Sequence, residues 1–268
     1  MNNLRGVYTI WYRDLIRFWH DKIRMVGSLA MPFLFLFVFA RGLSASMMPV
    51  GSGTDFTQFM FPGVIGMAVL IGSFMGGVSV VWDREFGFLK EVLVAPISRA
   101  SVAVGKTLGA ATIALLQGSL ILSFAPLVGV SLSVQTVLMV LPLMFLLAAS
   151  MGSFGVLMAT RIRTIEAFYA VTQMLMFPMV FLSGAFFPLR GLPGWMNVLM
   201  KINPATYGIT PIRQVILGAS PESPFGITLF GHTMSLWNNV AVLAVFGVIA
   251  TLLAIWSFTN QEQFSMAF

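Results

Sequence analysis

The chain predicts an all-α membrane protein with six transmembrane helices, an N-terminal amphipathic interfacial helix, a cytoplasmic helix between the second and third spans, and two short re-entrant helices on the opposite side. Three observations carry this. Of 268 residues, 58% are hydrophobic and 9% charged, against roughly 25% charged in soluble domains. Mean hydropathy is +0.91, more apolar surface than an aqueous core could hide, so the solvent is lipid. The few charges are also clustered between long apolar runs. There are no cysteines, which excludes disulfides and thiolate metal sites. His20 and His232 lie far apart and form no metal pattern. The net charge of +6 points to cytoplasmic loops and anionic lipid rather than nucleic acid.

Residues 3–20 read as the interfacial helix. Leu4, Val7, Trp11, Leu15 and Phe18 form an apolar stripe, and Arg5, Arg13, Asp14 and Arg17 point elsewhere, which suits the headgroup plane. The first apolar run begins near Arg24, so no leader peptide is expected. The spans are expected at about 23–43, 59–81, 102–127, 134–159, 167–187 and 236–258, each near the ~20 residues a bilayer needs. Pro32 and Pro142 lie inside the first and fourth. Gly72 and Gly76 form a G-x-x-x-G that permits close helix approach. Gln117, in the third span, reads as an interhelical hydrogen-bonding group.

Residues 83–100 form the charged interruption around which the chain is organised. Asp83 is expected to cap a helix start, with Glu85 in its first turn. Phe86, Leu89 and Leu93 fall on one side at helical spacing. Pro96 stops the helix, and Ser98 caps the next. Residues 188–235 are too rich in Pro, Gly and polar groups to span. Two short helices are expected there, Trp195–Lys201 and Pro204–Leu217, dipping into one leaflet without crossing.

Six spans put both termini on one side. The N-terminal segment, the second-to-third connection and the fourth-to-fifth turn carry eleven Lys and Arg, and the opposite side carries four. The termini and residues 83–100 are therefore expected in the cytoplasm. ASVAVGKT at 100–107 fits a permissive phosphate-loop pattern, but it has one glycine, no preceding strand and no acidic partner for magnesium. Lys106 reads instead as a snorkelling interfacial lysine. No acidic residue lies at the centre of a span, which argues against an ion-coupled carrier. Energy must then enter from outside the bundle.

Two segments carry a family resemblance. WDREFGFLKEVLVAPISRASVAVGK, 82–106, resembles the cytoplasmic motif of type-2 ABC transporter permeases. LSGAFFPLRGLPGWMNVLMKINPATYGITPIRQVILG, 182–218, is similar to that family's motif after the fifth span. The likeness is nearest to the daunorubicin-resistance and lipo-oligosaccharide exporters, and it covers nearly the whole chain.

The resemblance implies a homodimer in a prokaryotic inner membrane, each copy pairing with a separate ATP-hydrolysing subunit. This chain would have no ATPase site or cofactor, ATP and magnesium being held by that partner. Glu85–Ser98 would be the coupling helix, with Asp83, Arg84, Glu85, Phe86, Gly87, Leu89, Lys90, Glu91, Pro96, Ile97, Ser98 and Arg99 as the coupling residues. Residues 3–19 would be the gate helix. Pro188, Trp195, Asn203, Pro204, Tyr207 and Arg213 would mark the external re-entrant motif. The second and fifth spans would line the path, through Met67, Phe74, Met75, Thr172, Gln173 and Met176. The cargo would be an amphipathic drug, lipid or lipid-linked glycan. The alternative class is an ion-coupled secondary transporter or channel.

Overall fold

A computed structural model describes residues 2–40, 42, 56–87, 97–186, 193–218, 226–229 and 232–265. The expected coupling residues Leu89, Lys90, Glu91 and Pro96, and the external Pro188, lie outside the described residues.

The protein is built almost wholly of helices: α1 (Asn2–His20), α2 (Lys22–Leu34, continued by a wider π-type turn over Phe35–Ala40), α3 (Phe56–Met75), α4 (Val78–Glu85), α5 (Arg99–Leu122), α6 (Val134–Arg161), α7 (Ile165–Phe181), α8 (Gly194–Ile202), α9 (Pro204–Leu217) and α10 (Leu236–Ser265). A two-residue antiparallel ladder pairs Thr228–Leu229 with His232–Thr233. Helices are the expected solution in lipid, because they satisfy every backbone group internally. Among the described residues, five helical stretches are long and apolar enough to cross a bilayer: 22–40, 56–85, 99–122, 134–161 and 236–259. Helix α7, at 17 residues, is a shorter apolar helix.

Local chemistry sets the helix starts. Asp21, Ser98, Ser133 and Thr164 each accept an N–H three residues on, from Arg24, Ser101, Thr136 and Ala167. This satisfies one of the donors a helix start leaves open. Helix α3 is the hub. It packs on α5, α6, α7 and α9, and most of its side chains are buried, including Phe59, Met60, Phe61, Ile65 and Phe74.

Glycines allow the close crossings. A Cβ at Gly76 would overlap Ala110 of α5. One at Gly77 would overlap the Gly155 carbonyl of α6, and one at Gly155 the Phe74 carbonyl. The second span is therefore two helices, α3 and α4, broken by a turn at Gly76–Gly77 between two neighbours. Asp83 consequently does not cap a new helix, as its position in sequence suggested. It sits in α4, the continuation of the spanning helix, which ends at Glu85 and is closed by Gly87 at φ +78°.

The re-entrant pair behaves as its length demands. Helices α8 and α9 have 9 and 14 residues, and at about 1.5 Å per residue neither crosses a ~30 Å hydrocarbon core. Helix α9 nevertheless inserts deep among the spans. Ile209 fills the space opposite Gly66 of α3, and Leu147 of α6 that opposite Gly208. Asn203, at the elbow, donates to the Met179 carbonyl at 2.7 Å and caps α9 by accepting from Ala205 at 3.0 Å.

Gly77→Val is expected to destabilise the protein by about 1–3 kcal/mol through overpacking. Gly27→Ala, on an exposed stretch of α2 with nothing within 4 Å, is expected to be neutral or slightly stabilising. Thermal unfolding of both variants in one detergent checks the contrast; equal loss in the two would refute the crossing geometry.

Candidate functional site

Buried charges gather where α1, α4 and α5 meet. Lys106 is 2% exposed, Asp14 7% and Asp83 3%. The Lys106 ammonium lies 3.1 Å from Asp14 Oδ1 and 2.6 Å from Asp83 Oδ2. It also donates to Ser79 Oγ at 3.2 Å, and that hydroxyl donates to Asp14 Oδ2 at 3.2 Å. Arg13 pairs with the same Asp83 carboxylate. Arg17 approaches Asp83 at 3.7 Å and lies over the Trp82 ring at 5.2 Å.

Two expectations are corrected here. Lys106 does not snorkel, because α1 covers it and two carboxylates replace its water. Asp14 does not face away from the packed side of α1. The buried row is Gly6, Ile10, Asp14 and Phe18, and Leu4, counted in the apolar stripe, is 80% exposed.

The reason lies in α5. Gly105 and Gly109 leave the space through which α1 crosses, and a Cβ at Gly105 would meet Ile10 Cβ at 3.0 Å. The Gly-Lys-Thr at 105–107 is thus helical and serves helix packing. Trp11 Nε1 adds a hydrogen bond to Thr112 at 3.0 Å.

The residues flanking the charged interruption reach further. Arg84 donates to the carbonyls of Thr160 at 3.0 Å and Ile162 at 2.8 Å, placing a cation on the C-terminal end of α6, where the helix dipole favours one. Glu85 accepts from the Ile165 N–H at 3.0 Å, an anion on the first turn of α7. At the far root, Ser98 N–H donates to Asn3 of α1 at 3.0 Å. Arg99 donates to the Phe258 and Thr259 carbonyls of α10 at 3.2 and 2.9 Å. Asp83, Arg84, Glu85, Ser98 and Arg99 therefore tie the two roots of one segment to α1, α5, α6, α7 and α10. Phe86 and Gly87 are exposed beyond α4, and Ile97 packs against Gly6.

The other expected residues sit as follows. Met67, Phe74, Thr172 and Met176 are buried within the chain, Met75 is half-buried, and Gln173 faces outward. Thr172 donates to the Phe168 carbonyl at 2.7 Å. In the external motif, Trp195 is 66% exposed. Pro204 is half-buried, and Asn203, Tyr207 and Arg213 are buried. Arg213 donates to the Gly184 and Ala185 carbonyls at 2.6 and 2.9 Å, with its guanidinium over the Phe59 ring.

Residues 5–217, with both charged roots and the re-entrant pair, match the family model of the ABC-2 type transporter. The chain belongs to that family. The permease is 26% identical over 256 residues to "Putative transport permease ycf38" of Cyanophora paradoxa, covering 93% of this chain and 88% of that one. It is 26% identical to "Inner membrane transport permease YadH" of Escherichia coli K12, covering 94% of each. To "Nodulation protein J" of Rhizobium meliloti it is 25% identical, covering 78% of this chain and 80% of that one.

Sequence reasoning missed Asp14, Ser79 and Lys106 as one unit. The signal was present as spacing: Gly6, Ile10, Asp14 and Phe18 make a four-residue row, and Gly105 and Gly109 supply the matching gap. Removing one partner of a buried pair costs about 3–5 kcal/mol, against about 0–1 for an exposed pair. Lys106→Met is therefore expected to destabilise by about 3–5 kcal/mol. Adding Asp14→Leu is expected to recover part of that loss, because one stranded carboxylate is removed with the lysine. Unfolding midpoints of the two single variants and the double check this; strict additivity would show that the pair is not coupled.

Proposed function

We propose that this permease is the membrane-spanning subunit of an ATP-driven exporter, moving an amphipathic drug, lipid or lipid-linked glycan out of the cytoplasm or inner leaflet. It works as a homodimer with two copies of a separate ABC ATPase, and that subunit holds ATP and magnesium. The printed name of the Escherichia coli relative supports an inner-membrane location. The excess of Lys and Arg on the N-terminal side favours cytoplasmic termini.

The observation that carries this reading is the set of ties at the roots of residues 88–96. A segment that receives force must be able to deliver it, and these roots contact five helices through charged or capping groups. When the ATPases close, the segment moves with them as a rigid body. Arg84 and Glu85 deliver the displacement to the turn joining α6 to α7, through a carbonyl cap on one side and an N–H on the other. Asp83 delivers it to α1 through Arg13 and to α5 through Lys106. Arg99 delivers it to the cytoplasmic end of α10. The break at Gly76–Gly77 lets α4 swing while α3 keeps its packing. Helices α3 and α7 then separate from their counterparts in the second copy and open the path, Gln173 being the expected path residue that faces out of the protomer. Met75, half-buried beside the Gly76–Gly77 break, suits varied shapes because the thioether repacks readily.

A second reading draws on the buried Asp14–Lys106–Asp83 group, which could serve an ion-coupled carrier. The two readings differ in what must copurify and what drives flux. A tagged chain is expected to bring an ATP-hydrolysing subunit with it from its native membrane. Transport in reconstituted vesicles is expected to survive collapse of the proton gradient and to stop without ATP.

Arg84→Gln and Glu85→Gln are expected to leave that copurification intact and to lower transport per ATP hydrolysed by about 5–150-fold, the range of a 1–3 kcal/mol coupling. Normal coupling in both variants would remove the bracket from the transmission route.

A further inference from the structure

Helix α9 carries a polar row on one side: Thr206, Thr210 and Gln214, four residues apart. The first is satisfied, since Thr206 donates to the Met200 carbonyl at 2.9 Å. The other two are not. Thr210 is 2% exposed and Gln214 8%. Thr210 Oγ1 and both polar atoms of the Gln214 amide are sealed from solvent with no hydrogen-bond partner among the described residues. On α10, which packs against α9, Asn239 is fully buried and its Oδ1 is likewise without a partner. Buried polar groups in proteins are nearly always paired, and each exception calls for an explanation. At its Thr206 end the row meets a surface recess lined by Asn197, Lys201 and Thr228.

Leucine or valine would fill these positions in α9 at no hydrogen-bonding cost, and the rest of the bundle is apolar enough to accept them. A glutamine with both donor and acceptor unused, one turn from an unused hydroxyl, matches groups that both donate and accept, such as hydroxyls and amides. It gives a carboxylate no counter-charge within the row and a quaternary ammonium no hydrogen bond to make. The nearest cation on the helix, Arg213, is committed to the Gly184 and Ala185 carbonyls.

We propose that Thr210 and Gln214 form a recognition row for the neutral, hydroxyl- or amide-bearing head group of the cargo, reached from the Thr206 recess as α9 shifts against α10. This rests on the export reading above and narrows its cargo from any amphiphile to one with a hydrogen-bonding, uncharged head.

The test uses the permease with its copurified ATPase in lipid nanodiscs, and two probes with one tail, dodecyl maltoside and dodecyltrimethylammonium, below their micellar concentrations. The glycoside is expected to stimulate ATP hydrolysis more strongly than the ammonium. Gln214→Leu and Thr210→Val are each expected to raise the half-maximal glycoside concentration about 3–10-fold, the worth of one neutral hydrogen bond. Response to the ammonium should stay unchanged. Both variants should also melt higher than wild type, because an unpaired buried group has been removed. A glycoside response unaltered in folded variants, or one lost equally for both probes, overturns the row as a recognition site. Stimulation of wild type by the ammonium alone overturns the head-group assignment while leaving export intact. Absence of any copurifying ATPase defeats the export reading itself, and with it this proposal.

Discussion

An ammonium group withdrawn from water regains its solvation only from oxygen atoms held close and in the right number. Lys106 has three such neighbours, Asp14, Asp83 and Ser79, drawn from two helices far apart in the chain. Asp14 belongs to α1, while Ser79 and Asp83 belong to α4. If either helix moved away alone, a charge would be stranded in a dry site, at a cost comparable to a good part of the stability of a domain. The three helices are thus tied together at this one point. Most of what that end of the bundle can do follows from that restriction.

The restriction also explains why the second span is divided. A continuous helix from Phe56 to Glu85 would carry any movement of its C-terminal end straight into the hub of the bundle. That hub is packed too tightly to yield, with Phe59, Phe61, Ile65, Leu70 and Phe74 at 1% exposure or less. The turn at Gly76–Gly77 separates the two duties. Helix α3 stays locked to α5 and α6 by glycine crossings, and α4 carries the charged roots. The glycines thus both permit close approach and supply the joint.

The long apolar helices, the N-terminal helix and the two short helices after Phe187 were legible in the sequence because lipid imposes a simple rule: apolar length where the chain crosses, caps and prolines where it turns. Ser98, Pro204 and the Gly- and Pro-rich stretch after Phe187 are signals of that kind. The role of Asp83 was not legible. A carboxylate at the edge of an apolar run looks the same whether it caps a new helix or closes an old one. The difference is decided by Gly87, whose positive φ ends the helix two residues after Glu85. Lys106 was misread for a similar reason. A lysine at a span end extends to water unless another helix covers it. The covering helix lies more than ninety positions earlier in the chain, so no local window contains both partners. Arg84 and Glu85 are a third case. Their type suggested an outward, partner-facing role, but their atoms end on backbone groups of α6 and α7, which have no side-chain signature.

These positions lead to a reading of the charged segment that its composition alone does not suggest. Four of the six charged side chains of residues 83–100 are spent inward. Asp83, Arg84, Glu85 and Arg99 hold the bundle, and Phe86 and Gly87 are exposed at the end of α4. An arrangement in which the same acidic and basic side chains gripped both partner and bundle would have to break one contact to make the other. Here the contacts within the bundle are charge-assisted hydrogen bonds to helix ends, which survive small rigid-body shifts because carbonyl and N–H groups accept a broad range of directions. On the export reading proposed above, a partner that displaces the segment leaves it fastened, and the displacement reaches α6, α7 and α10 together.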